Sequence, residues 1–231
     1  MRKILFILAV LLSSLYCSEI PSWVVDIPDK PGIDFSVGVS DIFLEDSLSY
    51  KIAYENALYQ LLAQEKVYIY IKKIDLIGTQ HFYTYDVQIP DYNNLDKINN
   101  DIEVLATYSD QRYYYILIGT GKYKVKCDLV NLPSEFKRPL NTSYPDIIYG
   151  FGIANARSSQ AFFYATADAR IDVCEQLHTK VSSMTLDFTD VNSNIQILTE
   201  SEMIITNLKI TGYFVDYQNN LVYAKVRFKK K

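Results

Sequence analysis

One short pattern occurs twice in this chain, and it constrains the fold more than any other feature. Phe35, Ser36, Val37, Gly38, Val39 and Ser40 are echoed by Tyr149, Gly150, Phe151, Gly152, Ile153 and Ala154. Gly38 matches Gly152 at an offset of 114 residues. Each stretch alternates like a short strand, and each is followed by an amphipathic helix. In the first copy Tyr50, Ala53, Tyr54, Ala57, Leu58, Leu61 and Leu62 fall on one helical face. In the second, Phe162, Ala165, Ala169 and Val173 repeat that face at an offset of 112. The paired alanines imply a helix lying close on a sheet. Asp46 or Ser47 can cap the first helix, and Ser158 or Ser159 the second.

The segments after the two helices also match. Lys66-Val67 opens a strand running to Ile77, and Lys180-Val181 opens one running to Phe188. Each copy closes on a hairpin-like pair. In the second copy Leu208 to Val215, a polar turn, and Leu221 to Phe228 read as strand, turn, strand. In the first, Ile102 to Tyr108 and Tyr113 to Ile118 flank Ser109 to Arg112, and Lys122 to Val130 adds an extra strand or a connector. Thr199 to Glu202 resembles a helix start. The expected fold class is α+β: two tandem β-α-β-β-β units, each one long helix packed on an antiparallel sheet. Residues 34–130 form the first unit and residues 147–231 the second. Residues 131–146, with three prolines, form the linker between them, and residues 18–33 a matching lead-in.

The N-terminus states a compartment. Arg2 and Lys3 precede nine apolar residues, Ile4 to Leu12, and then Ser13, Ser14, Leu15, Tyr16 and Cys17. Residues 1–17 therefore read as a secretory signal peptide, too short in its apolar run to span a bilayer as a mature helix. Cys17 has two readings. It is the lipidated cysteine of a bacterial lipoprotein, its thiol carrying diacylglycerol. Or an ordinary peptidase cuts near Cys17 or Ser18 and the product is soluble. The position just after the apolar run favours the first reading; bulky Tyr16, where a lipobox has a small residue, favours the second.

Composition excludes several classes. The formal net charge is −4, and losing Arg2 and Lys3 makes it more negative, so no basic stripe marks a nucleic-acid binder. Two histidines cannot make a His-rich metal site. His178 falls at the end of the second helix, where it suits the carbonyl end of the dipole, and His81 lies in a strand-like run. Gly119, Thr120, Gly121 and Lys122 lack the spacing of a phosphate loop and read as a hairpin turn. Export permits a bridge between Cys127 and Cys174, but two separate thiols are the simpler reading. No nucleophile motif, metal motif or cofactor fingerprint is present, so neither an enzyme nor a cofactor is expected. The 20 tyrosines suit a sheet-rich fold, and Tyr113, Tyr114 and Tyr115, with Tyr68 and Tyr70, are candidates for an interaction surface. Lys229, Lys230 and Lys231 form a basic tail, read as a solvated terminus.

Pro21-Ser22-Trp23-Val24, the Gly38 strand, the alanine-bearing helix, Leu208 to Tyr213 and Val222 to Arg227 together carry a family likeness. The chain resembles the Helicobacter twenty-kilodalton lipoprotein family, which includes flagellar envelope lipoproteins of the FlgP kind and the N-terminal domain of FlgT. The likeness covers most of residues 21–231; only the first copy has the P-x-W-V lead-in, and the second offers Pro145 without the Trp. The resemblance implies a dodecin-like fold, a lipid-anchored place in the cell envelope, on the periplasmic side or surface of the outer membrane, and no catalytic residues. Two functions are then open. One is a non-enzymatic scaffold whose exposed sheet edges and tyrosines meet protein partners or further copies of itself, with links to flagellar structures through the resemblance. The other is an exported carrier holding a small molecule between helix and sheet.

Overall fold

The computed structural model describes residues 20–76, 80–88, 102–130, 146–178 and 196–230. The expected signal peptide with Cys17, the strand expected from Lys180 to Phe188 and almost all of the expected 131–146 linker lie outside the described residues. Within them the protein is α+β, with two long helices each packed on an antiparallel sheet.

In the first unit β2 (Phe35–Asp41), β5 (Glu103–Ser109) and β6 (Tyr113–Gly119) form a sheet of order β2-β6-β5, covered by α2 (Asp46–Glu65). In the second, β8 (Ile147–Asn155), β10 (Leu208–Asp216) and β11 (Leu221–Lys229) form the order β10-β11-β8, covered by α3 (Gln160–His178). The two orders are the same once repeat positions are matched: the leading strand pairs with the last strand of the closing hairpin. The units are laced by a third sheet. Here β3 (Lys66–Leu76), which leaves α2 directly, lies between β4 (Gln80–Gln88) and β9 (Gln196–Thr206). The Lys66↔Thr206 to Leu76↔Gln196 ladder therefore joins one unit to the other. Thr199 to Glu202 is strand in this ladder, not a helix start, because pairing with β3 overrides weak local preference.

The glycines explain why each helix sits where it does. A Cβ on Gly38 would lie 1.9 Å from the Ala53 carbonyl oxygen and 2.3 Å from the Ala57 nitrogen. A Cβ on Gly152 would lie 2.0 Å from the Ala165 carbonyl oxygen and 2.4 Å from the Ala169 nitrogen. The repeated glycine and alanine pair is thus a backbone-on-backbone contact between strand and helix. Polar side chains of each helix then reach the backbone of the outer strand beneath. Asn56 Nδ2 donates to the Val39 carbonyl (2.8 Å) and Gln64 Nε2 to the Phe35 carbonyl (2.8 Å). At the repeat-equivalent places the Ile153 N–H donates to Asp168 (3.0 Å), the Phe151 N–H to Asp172 (3.0 Å), and Gln176 Nε2 to the Tyr149 carbonyl (2.8 Å). These bonds serve backbone groups on strands that have a partner on one side only in the described sheets.

Two cores result. Ala53, Ala57, Leu58, Leu61, Ile116 and Ile118 close the space between α2 and its sheet. The other face of that sheet, with Phe35, Val37, Val39, Tyr113, Tyr115 and Leu117, joins a larger core that contains Phe162, Ala165, Ala169 and Val173 of α3 and the apolar side of β10 and β11. Phe162 is its pivot, meeting Tyr113, Tyr115 and Tyr213 edge-on at centroid distances of 5.2, 5.9 and 5.3 Å.

Two expectations are corrected here and one open alternative is decided. The lead-in is not a free linker. β1 (Ile20–Pro21) pairs with β7 (Leu129–Val130), and the short α1 (Ser22–Val25) buries Trp23 and Val24 in the larger core. The Ile27 N–H donates to the Thr211 carbonyl at 2.9 Å, and Asp29 and Asp34 pair with Arg227 and Lys209 of the second unit. Burying Val24 and Ile27 contributes roughly 1.5–3 kcal/mol each, so the segment is part of the fold. Of the two readings of Lys122 to Val130, the connector holds for Lys122 to Asp128; Tyr123 and Val125 turn inward against the larger core while the lysines face out, without a ladder partner. Neither helix takes a side-chain cap from its own sequence as expected. Glu45 precedes α2 without a capping bond, and at α3 the cap comes from the other unit: Asp41 accepts from the Ser159 N–H (2.8 Å) and hydroxyl (3.0 Å).

Candidate functional site

The tyrosine run was the sequence's candidate contact surface, and the structure corrects it. Tyr113 and Tyr115 are 1% and 0% exposed. Strand β6 is covered on both faces, by α2 on one and by the shared core on the other, which is why Tyr113 to Ile118 reads as a nearly continuous apolar run. Tyr113 gives its hydroxyl to the Ala156 carbonyl across the unit boundary (3.1 Å). Only Tyr114 stays half-exposed, beside Tyr50 at 6.4 Å, which stacks on Tyr54 at 6.2 Å. Tyr70 of the second candidate pair is exposed; Tyr68 is half-buried under the Lys66 ammonium.

The exposed apolar surface lies one loop away. Between β2 and α2 the chain runs Ile42, Phe43, Leu44, and the first turn of α2 adds Leu48. All four are exposed, Leu44 completely, and Tyr50 continues the patch. The loop's form is nonetheless held: the Ile42 N–H donates to the Arg112 carbonyl (3.1 Å) and the Phe43 N–H to Ser49 Oγ (2.9 Å). Ser49 is itself tied, its carbonyl accepting from Ser40 Oγ (2.7 Å). A fixed loop displaying three consecutive apolar side chains, followed by Glu45 and Asp46, has no use in the core of this chain. In the sequence this loop is an apolar run between strand and helix.

A polar junction ties the two hairpin turns. Asp110 accepts from the Arg112 and Tyr113 N–H groups (2.7 and 2.8 Å) and from the Tyr115 hydroxyl (3.0 Å). The Tyr217 hydroxyl of the second unit donates to the same carboxylate. Arg112 lies over the Tyr217 ring at 5.4 Å and donates to Asn220 at 2.9 Å. Burial and the Asp110 charge both hold the Tyr115 and Tyr217 phenols well above the ordinary tyrosine range. These tyrosines stay neutral donors, so the junction is structural.

A third feature is a cleft of about 340 Å³ between the helices, with Asn56, Tyr59 and Gln60 from α2 and Gln160, Phe163 and Tyr164 from α3 among its walls. Tyr59 and Phe163 face each other at 6.0 Å. Behind it Arg170 is fully buried and donates to Gln60 Oε1 at 2.9 Å. The repeat places Arg170 where α2 has Leu58, so comparing the copies would have revealed it.

The remaining candidates resolve simply. Cys127 is exposed and Cys174 buried, and they are not bridged; burial pushes the Cys174 thiol up to about 12. Gly119 ends β6 and Thr120 to Lys122 lead into coil, so this is not the expected hairpin turn; the Thr120 N–H donates to the Asp34 carbonyl at 3.1 Å. His178 ends α3 and His81 lies in β4; their side chains are outside the described part. Lys229 ends β11, and the Lys230 N–H donates to the Asp146 carbonyl, so the basic tail starts from a fixed point. Among the described residues no group of three or more His, Cys, Asp or Glu is placed to hold a metal, and no helix is long and apolar enough to cross a membrane.

No protein-family model matches the chain, and no curated protein or solved structure matches it.

Proposed function

We propose that this is a non-enzymatic exported protein of the bacterial cell envelope, tethered through Cys17, that works as a scaffold by binding protein partners. The observation that carries the reading is the fixed, exposed apolar loop Ile42, Phe43 and Leu44 with Leu48 beside it. Such a patch on a well-packed chain marks an interaction surface. Its acidic flank, Glu45 and Asp46, favours a partner with an apolar pocket and a basic rim. The signal peptide puts that partner outside the cytoplasm, and the resemblance to envelope lipoproteins supports the same compartment.

Replacing Phe43 with a photo-crosslinking phenylalanine analogue in the native host tests this. A small set of envelope proteins should crosslink there and not from an analogue placed at Tyr223 on the far side of the second sheet. Leu44→Ser with Leu48→Ser should abolish their copurification. Unchanged copurification from that variant would sink the reading. Metabolic palmitate labelling, lost in Cys17→Ala, checks the tether separately.

A further inference from the structure

Buried charges in proteins are normally paired, because an unpaired one is held out of water at a cost of several kcal/mol. Arg170 departs from that rule. Its side chain is fully buried in the middle of α3. Among the described residues its one hydrogen bond goes to a neutral amide, Gln60 Oε1, and its Nε has no partner. The groups that act on it electrostatically are the Tyr213 and Tyr59 phenols, not a carboxylate. Burial lowers it to about 10, which leaves it a cation at neutral pH. Packing does not demand a cation here, since the first copy of the repeat fills the equivalent place with Leu58.

The surroundings supply a reason. Gln60, Tyr59 and Tyr213, the three residues that face the guanidinium, are all walls of the interhelical cleft. Gln60 is also the odd rung of the helix. Its repeat partner Asp172 holds the Phe151 N–H, whereas Gln60 is turned to Arg170. Phe162, Phe163 and Tyr164 add aromatic wall, and Asn56, Ser159 and Gln160 add polar groups. Its volume, about 340 Å³, lies within the range of small-molecule sites.

We propose that the cleft between α2 and α3 binds a small aromatic anion, whose charged group pairs with Arg170 once the Gln60 amide swings aside. The ring packs against the aromatic pair Tyr59 and Phe163, and the anion supplies a counter-charge that the described residues do not. A carboxylate, sulfonate or phosphate on a planar body meets this chemistry, the guanidinium fork donating to two of its oxygens. The proposal is independent of the contact loop, and either can stand without the other.

The test uses two fluorescent probes of similar shape on the exported chain. One is 8-anilinonaphthalene-1-sulfonate; the other is N-phenyl-1-naphthylamine, which lacks the sulfonate. The expected result is saturable binding of the anion at one site, at least about tenfold tighter than the neutral probe, the worth of one charged pair. Arg170→Gln should remove that preference and leave the neutral probe unchanged, with circular dichroism checking the fold. Gln60→Ala, which opens the way to the guanidinium and frees it of its amide acceptor, should tighten the anion. Gln160→Trp, which fills the mouth, should weaken both probes. Equal affinity for the two probes, no binding of either, or an Arg170→Gln chain that keeps the preference would overturn the proposal. So would a Gln160→Trp chain that binds both probes unchanged.

Discussion

The two helices start from one pattern and end in different environments. Helix α2 has a solvent side along its first half, where Asp46, Ser47, Leu48, Tyr50 and Lys51 are exposed. Helix α3 buries more of its circumference: Ala161, Phe162, Thr166, Arg170, Ile171 and Cys174 are inside as well as the residues facing its own sheet, while Tyr164, Glu175 and Gln176 stay exposed. The cause is the asymmetry of the core. The sheet of the first unit offers its second face to the shared core, and Phe162 reaches it. The second sheet leaves its other face outward, with Tyr149, Phe151, Tyr223 and Lys225 only partly covered. Two helix-covered sheets of matching strand order are thus used once as a lid and once as a filling. The positions that differ between copies carry the polar singularities: Leu58 against Arg170, and Gln60 against Asp172.

Methyl groups on the two repeat glycines would sharpen this contrast most. Gly38→Ala and Gly152→Ala both force a Cβ to within about 2 Å of a helix carbonyl, a contact that no rotamer relieves. Both should destabilise by about 4 kcal/mol or more, at the extreme of single substitutions. Gly152→Ala should be the worse of the two. Helix α2 can lift toward solvent, whereas α3 is held between two packed faces. Denaturant melts of the two variants would decide. Equal losses would mean that α3 is as free to move as α2.

The two hairpin turns give the next contrast. Asp110 and Asp216 each open a turn and each accept backbone N–H bonds two or three residues on. Among the described residues the Asp216 carboxylate bonds only within its own turn, its second oxygen taking Asn219 Nδ2 at 2.7 Å. Asp110 additionally takes two phenols, one from each unit. Asp110→Ala leaves the buried Tyr115 hydroxyl without an acceptor and should cost about 3 kcal/mol, against about 1 kcal/mol or less for Asp216→Ala. Thermal melts of both variants measure the difference. Similar losses would show that the junction adds nothing beyond the turn.

Much of this architecture was legible in the sequence, because the repeat is written in backbone terms. Glycine beneath alanine leaves no choice of contact, so Gly38 with Ala53 and Ala57, and Gly152 with Ala165 and Ala169, fixed both strand and helix layers. The closing hairpins were found because their strands alternate and their turns are polar. What eluded the sequence was everything decided between units. Burial of Tyr113 and Tyr115 depends on a second sheet face that no local pattern announces. The strand identity of Thr199 to Glu202 depends on β3, far away in sequence. Trp23 sits in a proline-rich segment that looks like a linker, and only its docking beneath β10 and β6 makes it core. The same limit applied to the candidate sites. A tyrosine run signals a surface or a core equally well, and Arg170 gains meaning only beside Leu58.

The finest contrast is one rung of the helix-to-strand bonding. Asn56 and Asp168 occupy the same repeat position and both reach the strand beneath, one as a donor and one as an acceptor. Burial raises the Asp168 carboxyl above its ordinary value, the Ile153 N–H opposes the rise, and the neighbouring Asp172 charge adds to it. A raised carboxylate pKa means that the folded chain holds the proton more tightly than the unfolded chain. The charged form therefore weakens the fold at neutral pH. That penalty is fully present above the folded-state pKa and disappears as pH falls below the unfolded value of 3.8. Asp168→Asn restores the residue type of the first copy, keeps an oxygen to accept from Ile153, and removes the repulsion from Asp172. It should raise the melting temperature at pH 7 by about 2 °C or less, since the group is half exposed. Melts from pH 7 down to pH 3 should show the two chains converging on the acid side. A gain that persists at pH 3 would locate the benefit in the amide's own bonding and not in the lost charge. A loss at pH 7 would mean that the charged acceptor is worth more to Ile153 than the repulsion costs. The two copies would then have settled on their different rungs for reasons of bond strength alone.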